Sequence, residues 1–156
     1  MINTTRKKYT VEKSIIGRKD RVSFPSFGLE YVPVKIDSGA YSSSMHCSLI
    51  QLVDIEGKAC LEVVFLDAAT PGYTGKVERF YDFKRKIVKS SNGVAQERFF
   101  IKGSISLFHQ TFETFFSLTE RTGLRNPILL GRRLLNKRFL IDTSKTMCSY
   151  KTEQQK

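Results

Sequence analysis

Apolar and polar positions along the chain repeat at the two-residue period of half-buried strands, in short runs broken by Gly, Pro, Asn and Asp. Residues 14–17 and 21–24 are short and β-rich, and Pro25-Ser26-Phe27-Gly28 marks a turn after them. Residues 30–37 form an apolar strand that delivers Asp37 into Ser38-Gly39-Ala40. Residues 47–55 and 59–66 flank Glu56-Gly57-Lys58, a hairpin spelling. Residues 67–83 read as a loop. Residues 85–90 and 94–101 flank Ser91-Asn92-Gly93, in which Asn-Gly supplies the positive φ angles of a tight hairpin. Residues 101–108 and 111–118 alternate about a His109-Gln110 turn, with Ile101, Gly103, Ile105 and Leu107 on one face and Phe112, Phe115 and Phe116 adding core bulk. One brief helix is predicted at 132–136, before 139–142 return to strand.

Composition adds bulk constraints. A chain of 156 residues at 40% hydrophobic has material for one domain with its own core. We expect a flexible basic N-terminus at 1–12, the domain at 13–150 and a polar tail at 151–156. No apolar run approaches the roughly 20 residues of a membrane span, and residues 1–10 lack the apolar core of a secretory signal. Cys47, Cys60 and Cys148 are odd in number and lack metal-site spacing, which suits reduced thiols in a cytoplasm. Lys and Arg number 26 against 15 Asp and Glu, a net charge of +11. That excess favours an anionic partner, whether nucleic acid or acidic protein, or simply solvates the surface.

The candidate chemistry sits at Asp37. Hydrolysing a peptide bond without a metal or a covalent intermediate requires water to be activated between two carboxyl groups sharing a proton. Ser38 can hydrogen-bond neighbouring backbone, and Gly39 permits close approach of backbone or substrate. The same four residues also spell an ordinary turn, so the context has to decide. Far downstream, residues 126–130 run apolar into Gly131-Arg132.

The pairing of Asp37-Ser38-Gly39-Ala40 with Leu129-Leu130-Gly131-Arg132 resembles the retropepsins, the retroviral-type aspartic proteases. A longer set resembles a bacterial and archaeal family labelled ATP-dependent zinc proteases, retropepsin-like in fold: Asp37 through His46, Arg98, Leu129 through Arg132, and Phe139 through Ser144. The resemblance covers residues 14–148. This chain departs from the family at Ser38, usually Thr, at Tyr41, often Arg, and at Phe99 and Thr143, often Pro. The resemblance implies a mainly β, retropepsin-like closed barrel of one lobe with one short helix. It implies an aspartic endopeptidase acting on peptide or protein, with no cofactor. Asp37 is then catalytic, Ser38, Gly39 and Ala40 shape its loop, and Gly131-Arg132 brace that loop from behind. Ser91-Asn92-Gly93 becomes the tip of a flap. The two-lobed aspartic proteases are longer and carry an Asp in each half, whereas Asp-Ser-Gly occurs once here, so the second acid is expected from another copy in a C2 homodimer.

The words of the family label fit the residues less well. A zinc hydrolase needs three protein ligands, and His46, Cys47 and His109 have no such spacing. His46 matches a family position, with a structural hydrogen bond as its plainer role. No phosphate-cradling Gly-rich loop supports ATP binding. An association with ATP-grasp ligases that add glutamates to a ribosomal protein would account for the label, and a basic protease beside a glutamate-rich substrate is electrostatically sensible. Asp142, with no Gly after it, reads as a strand-end turn. The alternative function is a retropepsin-fold binding module with idle acids, recognising an anionic protein or RNA.

Overall fold

The computed structural model describes residues 12–89, 93–120 and 125–155. It is mainly β. Strands β1 (Ser14–Ile16), β2 (Lys19–Phe24) and β3 (Leu29–Ile36) come first, with a 3-10 turn at Pro25–Phe27. They are followed by β4 (Ser43–Ile55), β5 (Lys58–Phe65), β6 (Glu78–Phe80), β7 (Lys84–Lys89), β8 (Ala95–Leu107) and β9 (Gln110–Thr119). The chain then runs through β10 (Ile128–Leu130), helix α1 (Arg132–Leu135), β11 (Phe139–Ile141) and helix α2 (Cys148–Gln154).

Among the described residues, nine strands share a sheet ordered β10-β3-β2-β8-β9-β4-β5-β6, with β7 paired to β8. Strand β10 also pairs with β4, so six strands are linked in a ring. The expected closed barrel is therefore only partly realised. A register shift between Val22 and Phe24 bends β2, which meets β8 at the single pair Ser23 with Ser106. Strands β1 and β11 form a separate parallel pair.

The core follows strand parity. Phe27 stacks on Phe65 with ring centroids 4.5 Å apart and meets Phe116 edge-on at 5.7 Å. Gly103 makes room for it, since a Cβ there would lie 2.2 Å from the Phe27 ring. Each such buried ring contributes on the order of 2–3 kcal/mol of transfer free energy.

Three expectations need correction. The turn between β8 and β9 is Phe108-His109, one residue earlier than predicted, with φ of 51° and 62°. Helix α2 makes that conformation tenable: Ser149 Oγ accepts the Phe108 N–H at 2.9 Å and Glu153 Oε1 accepts that of His109 at 3.2 Å. Helix α2 is itself unforeseen and runs into the segment read as a polar tail. Its first N–H groups are accepted by Asp20, more than 120 residues away. Finally, the loop at 67–83 contains β6, whose Phe80 pairs with Leu61. No helix among the described residues is long and apolar enough to cross a membrane.

Candidate active site

Strand β3 carries Asp37 to the mouth of the ring because β10 lies beside it in parallel. Leu129 aligns with Lys35 and Leu130 with Ile36, and Asp37 N–H continues the ladder to Leu130 C=O at 2.9 Å. On its other side β10 runs antiparallel to β4, with Ile128 opposite Met45. The apolar spelling of β10 follows, since Ile128 and Leu130 are fully buried.

Asp37 is half-buried, and its Oδ1 accepts the Gly39 N–H at 2.9 Å. Among the described residues its Oδ2 has no hydrogen-bond donor. Ala40 N–H closes the turn onto Asp37 C=O at 3.3 Å. Arg132 then ties the loop to α1 in two places: its backbone N–H donates to Ala40 C=O at 2.8 Å and its Nη1 to Ser38 C=O at 2.9 Å. Arg133 N–H donates to Tyr41 C=O at 2.9 Å. Gly131 lies so close that a Cβ would stand 2.7 Å from Tyr41 C=O oxygen. The carboxylate is thus held by a loop whose backbone is fixed on two sides while one of its oxygens is left without a hydrogen bond among the described residues.

Sequence reading did not single out Ser43, whose buried Oγ accepts the Gly131 N–H at 3.1 Å. Its signal was parity: within Ser42-Ser43-Ser44, only Ser43 falls in step with the buried Met45 and Cys47. Ser91 and Asn92 lie outside the described residues. Gly93 is described, with φ of 80° and open space around its Cα, between the paired strands β7 and β8.

His46 is buried and meets Asp67 rather than Asp37. Its Nε2 lies 3.2 Å from Asp67 Oδ2, while Asp67 Oδ1 caps the following turn by accepting the Ala69 N–H at 3.0 Å. Among the described residues no three of His, Cys, Asp or Glu gather closely enough to hold a metal. Asp142 is a turn residue, accepting both the backbone N–H and the hydroxyl of Ser144, at 3.0 and 2.6 Å, which holds its carboxyl below the usual range. A cavity of about 550 Å³ lies elsewhere, lined by Tyr31, His109 and Glu153.

The family model for the RimB-like, retropepsin-like aspartic endopeptidase RimB matches residues 15–152. The chain belongs to this family. A Shewanella pealeana protein named "Probable alpha-L-glutamate ligase" is 30% identical over 138 residues, 87% of this chain. A Desulfotalea psychrophila protein of the same name is 27% identical over 85% of the chain. The chain spans 30% and 28% of these two relatives' lengths, respectively. A solved Legionella pneumophila protein of unknown function shares the fold, with a TM-score of 0.62 at 20% identity over 88% of this chain and 99% of its own.

Proposed function

We propose that this RimB-like chain is an aspartic endopeptidase in which Asp37 and its counterpart in a second copy form one site. The observation that carries this reading is the half-buried Asp37 in its braced loop, with one carboxylate oxygen accepting the Gly39 N–H and the other accepting no hydrogen bond among the described residues. Two such carboxylates brought together cannot both ionise, so they titrate as a pair holding one proton. The ionised member takes a proton from water as its oxygen attacks the scissile carbonyl carbon, and the protonated member gives its proton to the carbonyl oxygen. In the tetrahedral diol the C–N bond breaks as the nitrogen takes a proton from the dyad and a hydroxyl returns one to it. Carboxylic acid and amine leave, and the dyad again holds one proton. Gly131 and Arg132 serve this chemistry by fixing the loop. In this reading the β7–β8 hairpin acts as the lid that excludes water.

The substrate side of the proposal rests on charge and on the relatives. A net charge of +11 and matched relatives named as glutamate ligases both favour a glutamate-rich peptide segment as substrate.

The test is digestion of an unfolded protein mixture by wild type and Asp37→Asn, with a chelator present. Cleavage by wild type alone supports the aspartic mechanism. Equal cleavage by both, or loss of wild-type cleavage when metal is chelated, contradicts it. Absence of cleavage by either, together with tight binding of an acidic protein or RNA, would favour the binding-module reading.

A further inference from the structure

Lys35 is the next-to-last residue of strand β3, which ends at Ile36 and hands the chain directly to the Asp37 turn. From Lys35 the register crosses six strands in one row: Leu129 on β10, Ser44 on β4, Ser117 on β9, Phe100 on β8 and Lys84 on β7. The neighbouring positions Ile36, Leu130, Met45, Phe116 and Ile101 are all buried in the core. The row is therefore the other face of the sheet, running from the Asp37 loop to the β7–β8 hairpin.

Its centre is two small hydroxyl residues where apolar neighbours on both sides would suit alanine or valine. Ser117 is 3% exposed, and its Oγ has no hydrogen-bond partner among the described residues. A buried hydroxyl in that condition is costly and calls for a reason.

The cations resting on the rings next to it, Phe100 across the strand pair and Phe115 along β9, supply one. Lys84 Nζ and the Arg133 guanidinium each lie 4.7 Å from the centre of the Phe115 ring, and Lys86 Nζ lies 5.1 Å from that of Phe100. Phe115 is two residues from Ser117 on the same face of β9. Cations resting on rings at exposed sites are held only weakly. A hydrogen bond to a charged group is stronger than such a ring contact, so an arriving carboxylate can draw them off the rings.

Resting on the peptidase reading above, we infer that Ser117, with Ser44 beside it, floors a specificity position for a substrate side chain ending in a hydrogen-bond-accepting oxygen. That end group is a carboxylate or a carboxamide. Ser117 Oγ–H donates to it, and Lys84 or Arg133 adds a second donor when it is charged. The site selects against apolar side chains because they leave the hydroxyl unpaired.

The experiment compares wild type, Ser117→Ala and Ser117→Thr. Mass spectrometry of peptides cut from an unfolded protein mixture reads the residues flanking each cut. Wild type is expected to favour Glu, Gln, Asp or Asn over Leu at one flanking position by about tenfold, the ratio set by one hydrogen bond. Ser117→Ala loses that preference, and Ser117→Thr, which keeps the hydroxyl, retains it. Cutting with no such preference, or an equal preference in Ser117→Ala, overturns the inference. Binding to the Asp37→Asn chain separates this claim from catalysis: fluorescence anisotropy with peptides differing only in Glu, Gln or Leu should give the same ranking, again lost on adding Ser117→Ala. If that ranking appears and wild type cuts nothing, the peptidase reading fails and the specificity position stands. If the three peptides bind alike, the position fails. The urea midpoint of Ser117→Ala gives a further check, since removing an unpaired hydroxyl should leave stability unchanged or raised. A marked fall would assign Ser117 a structural partner and overturn the inference.

Discussion

Asp20, at the start of β2, and Asp37, directly after β3, are put to opposite uses. Asp20 is 0% exposed, and its two oxygens accept three backbone N–H groups, from Arg21, Ser149 and Tyr150, at 2.9–3.0 Å. Fully buried and so bound, the carboxylate is out of reach of a substrate and serves as the anchor of α2. Asp37 accepts a single N–H, from within its own turn, and is half-buried. The protein saturates the acid that holds the fold and leaves under-coordinated the acid proposed to react. Saturation, rather than residue type, separates structural from chemical carboxylates here.

Substitution should pull the two apart. Asp37→Asn is expected to lower peptide cleavage by about 10³-fold or more, while moving the unfolding free energy by no more than about 0.5 kcal/mol. Asp20→Ala should do the reverse in kind. It strands three buried N–H groups and is expected to cost about 3 kcal/mol or more. In hydrogen exchange, the Ser149 and Tyr150 amides should lose protection first. Urea titration and cleavage assays on both variants check the pair.

Gly131→Ala probes the brace between the regions. The added methyl meets the Tyr41 and Ser42 backbone at 2.7–2.8 Å, and such overpacking is expected to cost about 1–3 kcal/mol. Because the strain falls on the Asp37 loop, cleavage should drop more steeply than stability, a split read from kcat and the urea midpoint together.

The smallest expected effect is in pH. Burial raises the Asp20 carboxyl above its ordinary value of 3.8, outweighing the three N–H donors that pull it down. The folded chain therefore binds that proton more tightly than the unfolded chain. The Asp20 contribution is fully present below pH 3.8 and declines as pH rises through the raised folded-state value. Asp20→Asn should show a flatter stability curve across that acid window, measured by urea unfolding at closely spaced pH values. Asp142, whose carboxyl is lowered, works the other way and loses its contribution as pH falls.

These contrasts also mark what the sequence made legible. The Asp37 turn and the Gly131-Arg132 motif could be read because each is local: an apolar strand, then a small-residue turn, then an apolar strand ending in Gly-Arg. The long hairpins were visible for the same reason, through Asn92-Gly93 and Gly57. Asp20 was not, because its partners Ser149 and Tyr150 lie about 130 positions away and no local pattern links them. Helix α2 was missed with it, having no capping residue of its own: Met147 holds the cap position in a left-handed conformation without a side-chain bond. The turn at Phe108-His109 shifted by one residue because α2 supplies acceptors for its N–H groups. Ser43 was hidden among three serines until strand parity separated it.

The central claim is that two copies of Asp37 make one site, and mixing tests it most directly. Wild-type chain is incubated with an equal amount of Asp37→Asn chain, allowed to exchange, and assayed for peptide cleavage against wild type at the same total concentration. If each site needs two Asp37 residues, activity falls to about one quarter, the fraction of dimers with both copies intact. If activity falls only to about half, each chain acts alone and the shared-site account is wrong.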